Sequence, residues 1–488
     1  YMPHVSLEGG SWGKYKDFIS AVQLDAAIEH SRLASDDVAF FAPSLRLWET
    51  TLTDINITAA GTVDDFTASV ESLNAGQNTH IALEGSVRGL PDLARTHFDV
   101  EVRRLTSTAA DVDRFASSIG NKTLSTKLLR IIDNAGNVDL TAGFKGTLKS
   151  FRMRAAVDTK VGRTECNLAI LPLSRDRSSV QGNVLARNIR LGQLLDVPKL
   201  GAATLTARVN GTLGKDYADA NLSGAVTRLV YAGYAYDSVR LDGHLYNKEF
   251  NGRISARDPN LNFDFNGLVD LNEKVPRYDF AFDLHHANLA KMHINPRDSI
   301  SELSARLVAK VAGRSVDDLN GEIEITNAHY RYNDRQVKAQ RFTLRGENSE
   351  RSKYVELRSD FADATFRSKT SYRKVYEYLK TSVWKYLPML YDRDRYIRST
   401  SQQTLVADDY SLLSVQIKNI NPLVDAFSRG LQIADGSQLQ LLFNPVGDKL
   451  ALKVTSEYVE RDQLLATKLN VNLSNRGDSL SLYAGAED

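Results

Sequence analysis

Leu261-Asn262-Phe263-Asp264-Phe265-Asn266-Gly267-Leu268-Val269-Asp270 is the stretch whose reading decides the fold. Leu261, Phe263 and Phe265 occupy every second position, and Asn262, Asp264 and Asn266 stand between them. A period of two sends the apolar side chains to one face of a β-strand and the polar ones to the other. The same alternation runs through Tyr278, Phe280, Phe282 and Leu284, and earlier through Phe98, Val100 and Val102. It returns in Leu439, Leu441 and Phe443, in Leu450, Leu452 and Val454, and in Leu469, Val471 and Leu473. One apolar face and one wet face favour antiparallel strands over a parallel sheet buried on both sides.

A second pattern, apolar-x-Gly-x-apolar, is laid over the first. Its glycines are Gly85, Gly146, Gly182, Gly211, Gly224, Gly243, Gly252, Gly267 and Gly321, each keeping the apolar phase. Asn210-Gly211 and Asn266-Gly267 also fit a two-residue hairpin turn. Alternation passes through them without a phase break, which favours a bend inside a strand. Bends recurring at one relative place in many strands fold a long sheet into a trough. The fold expected is therefore all-β: a long, curved, mainly antiparallel sheet forming a U-shaped hydrophobic groove. Some 25 to 30 strands, stacked about 4.8 Å apart, would extend on the order of 130 Å.

Short helical crossings are expected at Asn188–Leu195, Asn288–Met292 and Asn419–Phe427, where a polar cap precedes apolar residues three and four apart. From Tyr372 to Leu390 the period lengthens: Tyr372, Tyr376, Leu379, Val383, Tyr386 or Leu387, and Leu390 form a stripe, with Arg373, Lys374, Lys380 and Lys385 on other faces. This predicts one longer basic, aromatic amphipathic helix, ended or kinked by Pro388. It packs over the trough or its edge, or it touches an anionic membrane surface. The organisation expected is a repetitive β-groove over 1–366, a helical insertion over 367–398, and a continuation of the groove over 399–488.

The 61 Lys and Arg against 60 Asp and Glu leave no basic surplus for a nucleic-acid partner. The 42% hydrophobic content suits a folded chain. Cys166 is the single cysteine, so no disulfide forms within the chain. It sits in alternation with Thr164, Leu168 and Ile170 and reads as a small buried hydrophobe. No segment reaches the roughly 20 apolar residues of a spanning helix. The abrupt start at Tyr1-Met2-Pro3 is expected of an internal portion of a longer protein.

Catalytic signals are weak. Gly9-Gly10-Ser11-Trp12-Gly13 matches the letters of a nucleophile elbow but lacks a strand-turn-helix setting. His285, His286 and His293 lack metal-ligand spacing, and Asp392 and Asp394 read as an exposed loop. Neither an enzyme, a cofactor nor a metal site is expected.

The run Leu7-Glu8-Gly9-Gly10-Ser11-Trp12-Gly13-Lys14-Tyr15-Lys16-Asp17-Phe18 resembles a segment of the TamB/AsmA-like translocation and assembly module proteins of Gram-negative bacteria. Thr79 through Leu83, Gly85, Gly89-Leu90-Pro91-Asp92, Thr96 and Phe98 is similar to the same family, as are Asp258-Pro259-Asn260-Leu261 and Ser359-Asp360-Phe361-Ala362-Asp363-Ala364. The resemblance covers most of the chain through loose structural motifs. It implies a periplasmic trough of the kind called a β-taco, held by an inner-membrane anchor outside this segment. It further implies movement of phospholipid between inner and outer membranes, support of outer-membrane protein assembly, or both, with an outer-membrane assembly protein as partner.

On that reading phospholipid acyl chains are the ligand. A sixteen-carbon chain crossing water faces about 13 kcal/mol at ~0.8 kcal/mol per methylene, which an apolar floor removes. The floor candidates are Leu261, Phe263, Phe265, Phe280, Phe282, Leu284, Leu439, Leu441 and Phe443. The alternative is a non-lipid structural or adhesive all-β protein of the cell envelope, in which the same residues fill a closed core.

Overall fold

The computed structural model describes residues 4–9, 14–34, 37, 50–76, 78–92, 94–118, 126–271, 275–295, 299–386, 410–428, 430–444, 449–462, 464–476 and 479–487. They form 27 β-strands and a few short helices, and every pairing is antiparallel. The chain divides into two compact units, Tyr1–Asn247 and Lys248–Asp488. The division falls inside the stretch 1–366 that the sequence reads as one groove.

The first unit is a meander in which each strand pairs with the next. Its strands are β1 (His4–Glu8), β2 (Gln23–Ala34), β3 (Thr51–Gly61), β4 (Asp65–Ala75), β5 (Thr79–Arg88), β6 (His97–Ser107) and β7 (Val138–Gly146). They continue with β8 (Phe151–Thr159), β9 (Gly162–Pro172), β10 (Arg177–Arg190), β11 (Leu200–Gly214), β12 (Ala218–Tyr231) and β13 (Tyr234–Tyr246). Helix α1 (Phe18–Ala21) precedes β2; α2 (Ala109–Ser118) and α3 (Thr126–Ala135) join β6 to β7; α4 (Leu191–Leu195) joins β10 to β11. The last three lie on one rim of the sheet, where α4 accepts at its Leu194 carbonyl a hydrogen bond from Asn134 of α3, 3.2 Å. The sheet curves and stays open.

The second unit repeats the plan with β14 (Glu249–Asp258), β15 (Leu261–Asp270), β16 (Arg277–Asn288), β17 (Ser301–Ala312), β18 (Asn320–Tyr332), β19 (Arg335–Asn348), β20 (Lys353–Ser359) and β21 (Ala362–Ser368). Helix α5 (Tyr372–Tyr386) then intervenes before β22 (Ser411–Ile417), and α6 (Asn421–Phe427) before β23 (Leu431–Ile433), β24 (Gln438–Asn444), β25 (Lys449–Arg461), β26 (Leu464–Arg476) and β27 (Ser479–Glu487). β22 skips the short β23 and pairs with β24, while β23 pairs with β25 beyond the end of β24.

Two crossings expected from sequence are helical, at α4 and α6. The third is not: residues 289–293 form a run of turns. Asn288 does cap a first turn, its side-chain oxygen accepting the Lys291 amide and its carbonyl the Met292 amide, both at 3.0 Å, but His293 is left-handed, φ 61°, and ends the segment there.

The turns are not where Asn-Gly stands. Asn210-Gly211 and Asn266-Gly267 lie inside β11 and β15, paired on both sides. A tight hairpin instead falls at Ala232-Gly233, both left-handed (φ 50° and 85°), between β12 and β13.

Six strands carry a residue with positive φ that is not glycine, at His30, Asp54, Asn188, Ser238, Asn327 and Lys468. All but Ser238, where β12 and β13 stay in step, sit at a shift of register, for example between Ile28 and Ser31 of β2 or between Ala186 and Ile189 of β10. These are β-bulges, and most are short polar residues that tolerate the left-handed region. In the first unit they lie on the half of each strand nearest the rim carrying α2, α3 and α4; in the second, nearest the rim carrying α6.

Candidate functional site: the apolar face

Register converts alternation into continuous rows. In the second unit Gly252 of β14 faces Gly267, and Gly267 faces Phe280. The row continues through Ala309, Ile323, Leu344, Leu357 and Ala364, then Val415, Leu439, Val454, Val471 and Ala484 of β27. A parallel row runs from Phe250 and Val269 through Tyr278, Val311, Gly321, Gly346, Val355 and Phe366 to Leu413, Leu441, Leu452, Leu473 and Leu482. Ile254, Phe265, Phe282, Leu307, Ile325 and Phe342 make a third. No charged side chain enters them.

The first unit has the same construction. One row passes from Leu7 and Leu24 through Gly61, Phe66, Val87, Phe98, Gly146 and Phe151 to Ile170, Val180, Gly211, Ala220 and Leu245. Two flanking rows, one through Val100 and Phe144, one through Val102 and Cys166, are equally free of charge. Thirteen strands stacked about 4.8 Å apart make each face roughly 58 Å long.

All nine floor candidates lie on this face. Phe263 packs on Phe282, and Phe265 on Phe280, each pair at 5.1 Å between ring centroids. Leu261, Phe263, Phe265, Phe280, Phe282, Leu284, Leu439 and Leu441 are only part-buried. Phe443 is different, at 2% exposure, in a small sealed cluster with Leu450 against Leu379, Leu441, Leu473 and Leu480. Among the described residues the fully buried large side chains are few: Met292, Val22 and Val161 lead them. Cys166 is part-buried too, not sealed as its neighbours suggested, and desolvation pushes its thiol up.

All nine motif glycines fall on the apolar face. A Cβ at Gly85 would stand 2.2 Å from the Asp99 carbonyl oxygen, and at Gly267 2.3 Å from that of Asp279. Glycine is required there because the adjoining backbone occupies the side-chain position. Large neighbours fill the space above: Phe98 and Phe151 flank Gly146, with Phe144 stacked on Phe151 at 5.0 Å. Such cover is the usual complement of a strand glycine.

The opposite face carries the charge. Lys145 sits directly across from Asp99 (2.6 Å) and Arg306 across from Asp283 (3.3 Å). Asp264 takes Arg257 at 2.6 Å and His285 at 2.9 Å. The Arg257 hydrogen bond first, then that of His285, hold the Asp264 carboxyl below its ordinary range. A depressed carboxyl adds stability above the unfolded value of about 3.9, lost as pH falls through the folded value. Asp264→Asn is therefore expected to cost under about 1 kcal/mol at neutral pH and to flatten only the acid limb below about pH 4 in a denaturation series.

A hollow of about 490 Å³ opens on this polar face, lined by Glu101, Arg154, Glu165, Asn167 and Asn183 among others. Glu165 is bound by Arg163 and Arg187, at 3.1 and 3.0 Å, so the hollow holds paired charge rather than a reactive group. No three metal-ligating side chains converge among the described residues. The bulge at His285 explains the adjacent histidines: His285 reaches Asp264, while His286 stands across from Asn262. Gly10–Gly13, Asp392 and Asp394 lie outside the described residues, as do 387–398 of the insertion.

Helix α5 covers part of the apolar face. Val375 is 6% exposed, Leu379 packs on the Phe443–Leu450 cluster, and the Tyr372 ring meets Phe366 at 5.1 Å. Arg373, Lys374 and Tyr376 are exposed. Two of the stripe residues thus point to the sheet, but Tyr376 does not.

No family model matches this chain. No curated protein and no solved structure matches it either. The reading of the site therefore rests on its own geometry.

Proposed function

We propose that this chain is a lipid-conducting segment of a cell-envelope protein of the TamB/AsmA-like type, and not an enzyme. Acyl chains lie along the apolar face while headgroups remain in water. The observation that supports this is that at least two charge-free rows cross thirteen strands in each unit, lined by large side chains that stay part-exposed. Contiguous apolar surface on that scale, kept open, marks a surface that takes an apolar ligand or partner. The hydrophobic effect is non-directional, so such a face carries acyl chains with little selectivity and requires no pocket. Transfer between inner and outer membranes, a periplasmic setting, an anchor elsewhere in the full protein and an outer-membrane assembly partner belong to the same proposal.

The test is mass spectrometry of lipid extracted from protein purified out of a Gram-negative host. Phospholipid above that recovered with a charge-matched globular protein is the expected result. Recovery equal to the control would overturn the proposal and favour a structural or adhesive envelope protein.

A further inference from the structure

Helix α5 covers several strands of the apolar face. Tyr372 sits over Phe366 of β21, and Leu379 over the cluster of Phe443 and Leu450 on β24 and β25. Seven residues of helix rise about 10.5 Å. From β21 through β22 to β24 is two strand spacings, about 9.6 Å. The helix therefore spans from β21 to β24, shifted by about two residues along the strands, because Phe443 stands two residues beyond Leu441, the residue in register with Phe366.

Its footing is polar and local. The Tyr372 amide donates to Asp317 Oδ1 at 2.5 Å and the Tyr372 hydroxyl to Asn348 Oδ1 at 2.9 Å. Burial, then the Asp317 charge, push that phenol up to about 12, so the hydroxyl stays a donor at neutral pH. Beyond this footing Val375 is 6% exposed, and Leu379, one turn on, packs on the Phe443–Leu450 cluster, which Leu441, in register with Leu413 and Phe366, also joins. Its outer side carries Arg373 and Lys374.

We infer that α5 is a built-in occupant of the lipid path: its Val375 and Leu379 take the positions of an acyl chain on the row through Phe366, Leu413 and Leu441, and so compete with lipid there. This rests on the lipid-conducting reading. It predicts low lipid occupancy beneath α5 and higher occupancy on the uncovered row through Phe265 and Phe282.

The test places a photo-crosslinking amino acid at Leu413 or, separately, at Phe342, in the full chain purified from a phospholipid-containing host. Lipid adducts are compared with and without Val375→Asp/Leu379→Asp. The expected result is a roughly tenfold rise in adducts at Leu413 and little change at Phe342. Equal adducts at Leu413 in both backgrounds, with Phe342 labelled, overturn the occlusion and leave the lipid reading intact. No adducts at either site overturn both. Because the double variant could loosen the sheet, maleimide labelling of Leu413→Cys and Phe342→Cys in a Cys166→Ser background runs in parallel. Faster labelling at Leu413 alone supports local uncovering. Faster labelling at both sites makes α5 a structural cap and overturns the inference.

Discussion

Phe265→Asp is expected to cut co-purified phospholipid at least tenfold while the sheet survives. Phe265 lies in a row with Ile254 and Phe282, part-exposed, its ring 5.1 Å from that of Phe280. A half-buried aromatic contributes about 1–2 kcal/mol to folding, a fraction of full burial. For a unit of this size that is a midpoint shift of about 2–8 °C. A carboxylate facing hydrocarbon costs far more than the 1.4 kcal/mol that corresponds to tenfold in occupancy. Function therefore fails well before the fold. Phe443→Asp gives the contrasting case: at 2% exposure beneath Leu379, a charge there has no water to reach and should unfold the region of β24 and β25. The measurement is lipid per mole of protein beside a thermal melt. If Phe265→Asp melts as badly as Phe443→Asp, the face is a sealed core and lipid conduction is wrong.

The fold class was readable because alternation in single strands needs no knowledge of partners. Leu261, Phe263 and Phe265 define a face by themselves, and a meander brings each strand beside the next. What alternation could not show is which apolar residues are covered. Leu441 and Phe443 look alike in sequence, yet one stays part-exposed and the other is closed over by Leu379, some sixty residues earlier. That cover depends on where α5 lands, a tertiary event. The bulges were legible but missed. Ala186-Arg187-Asn188-Ile189 and Ile325-Thr326-Asn327-Ala328 each place two polar residues where alternation allows one, with Asn at the extra position. That signature marks an added residue whose backbone turns left-handed. The apolar-x-Gly-x-apolar motif therefore accounts for only one of two devices: glycines on the apolar face, and bulges nearer one rim.

Gly267→Val should then cost about 3–5 kcal/mol. Gly267 combines a positive φ of 145° with a side-chain position already filled by the neighbouring strand: 2.3 Å to the Asp279 carbonyl and 2.5 Å to the Phe280 Cα. A β-branched residue is the least able to adopt that backbone. Relief requires β15 and β16 to separate, which breaks the register Gly267–Phe280 and pulls Phe280 off Phe265. Gly76 is the internal control. It also has positive φ, 69°, but a Cβ there meets nothing within 4 Å, so Gly76→Ala carries only the backbone term, about 1 kcal/mol. Denaturant midpoints of the two variants separate crowding from strain. Similar losses would mean the close approach of strands at Gly267 contributes nothing, and glycine would be present only for its dihedral freedom.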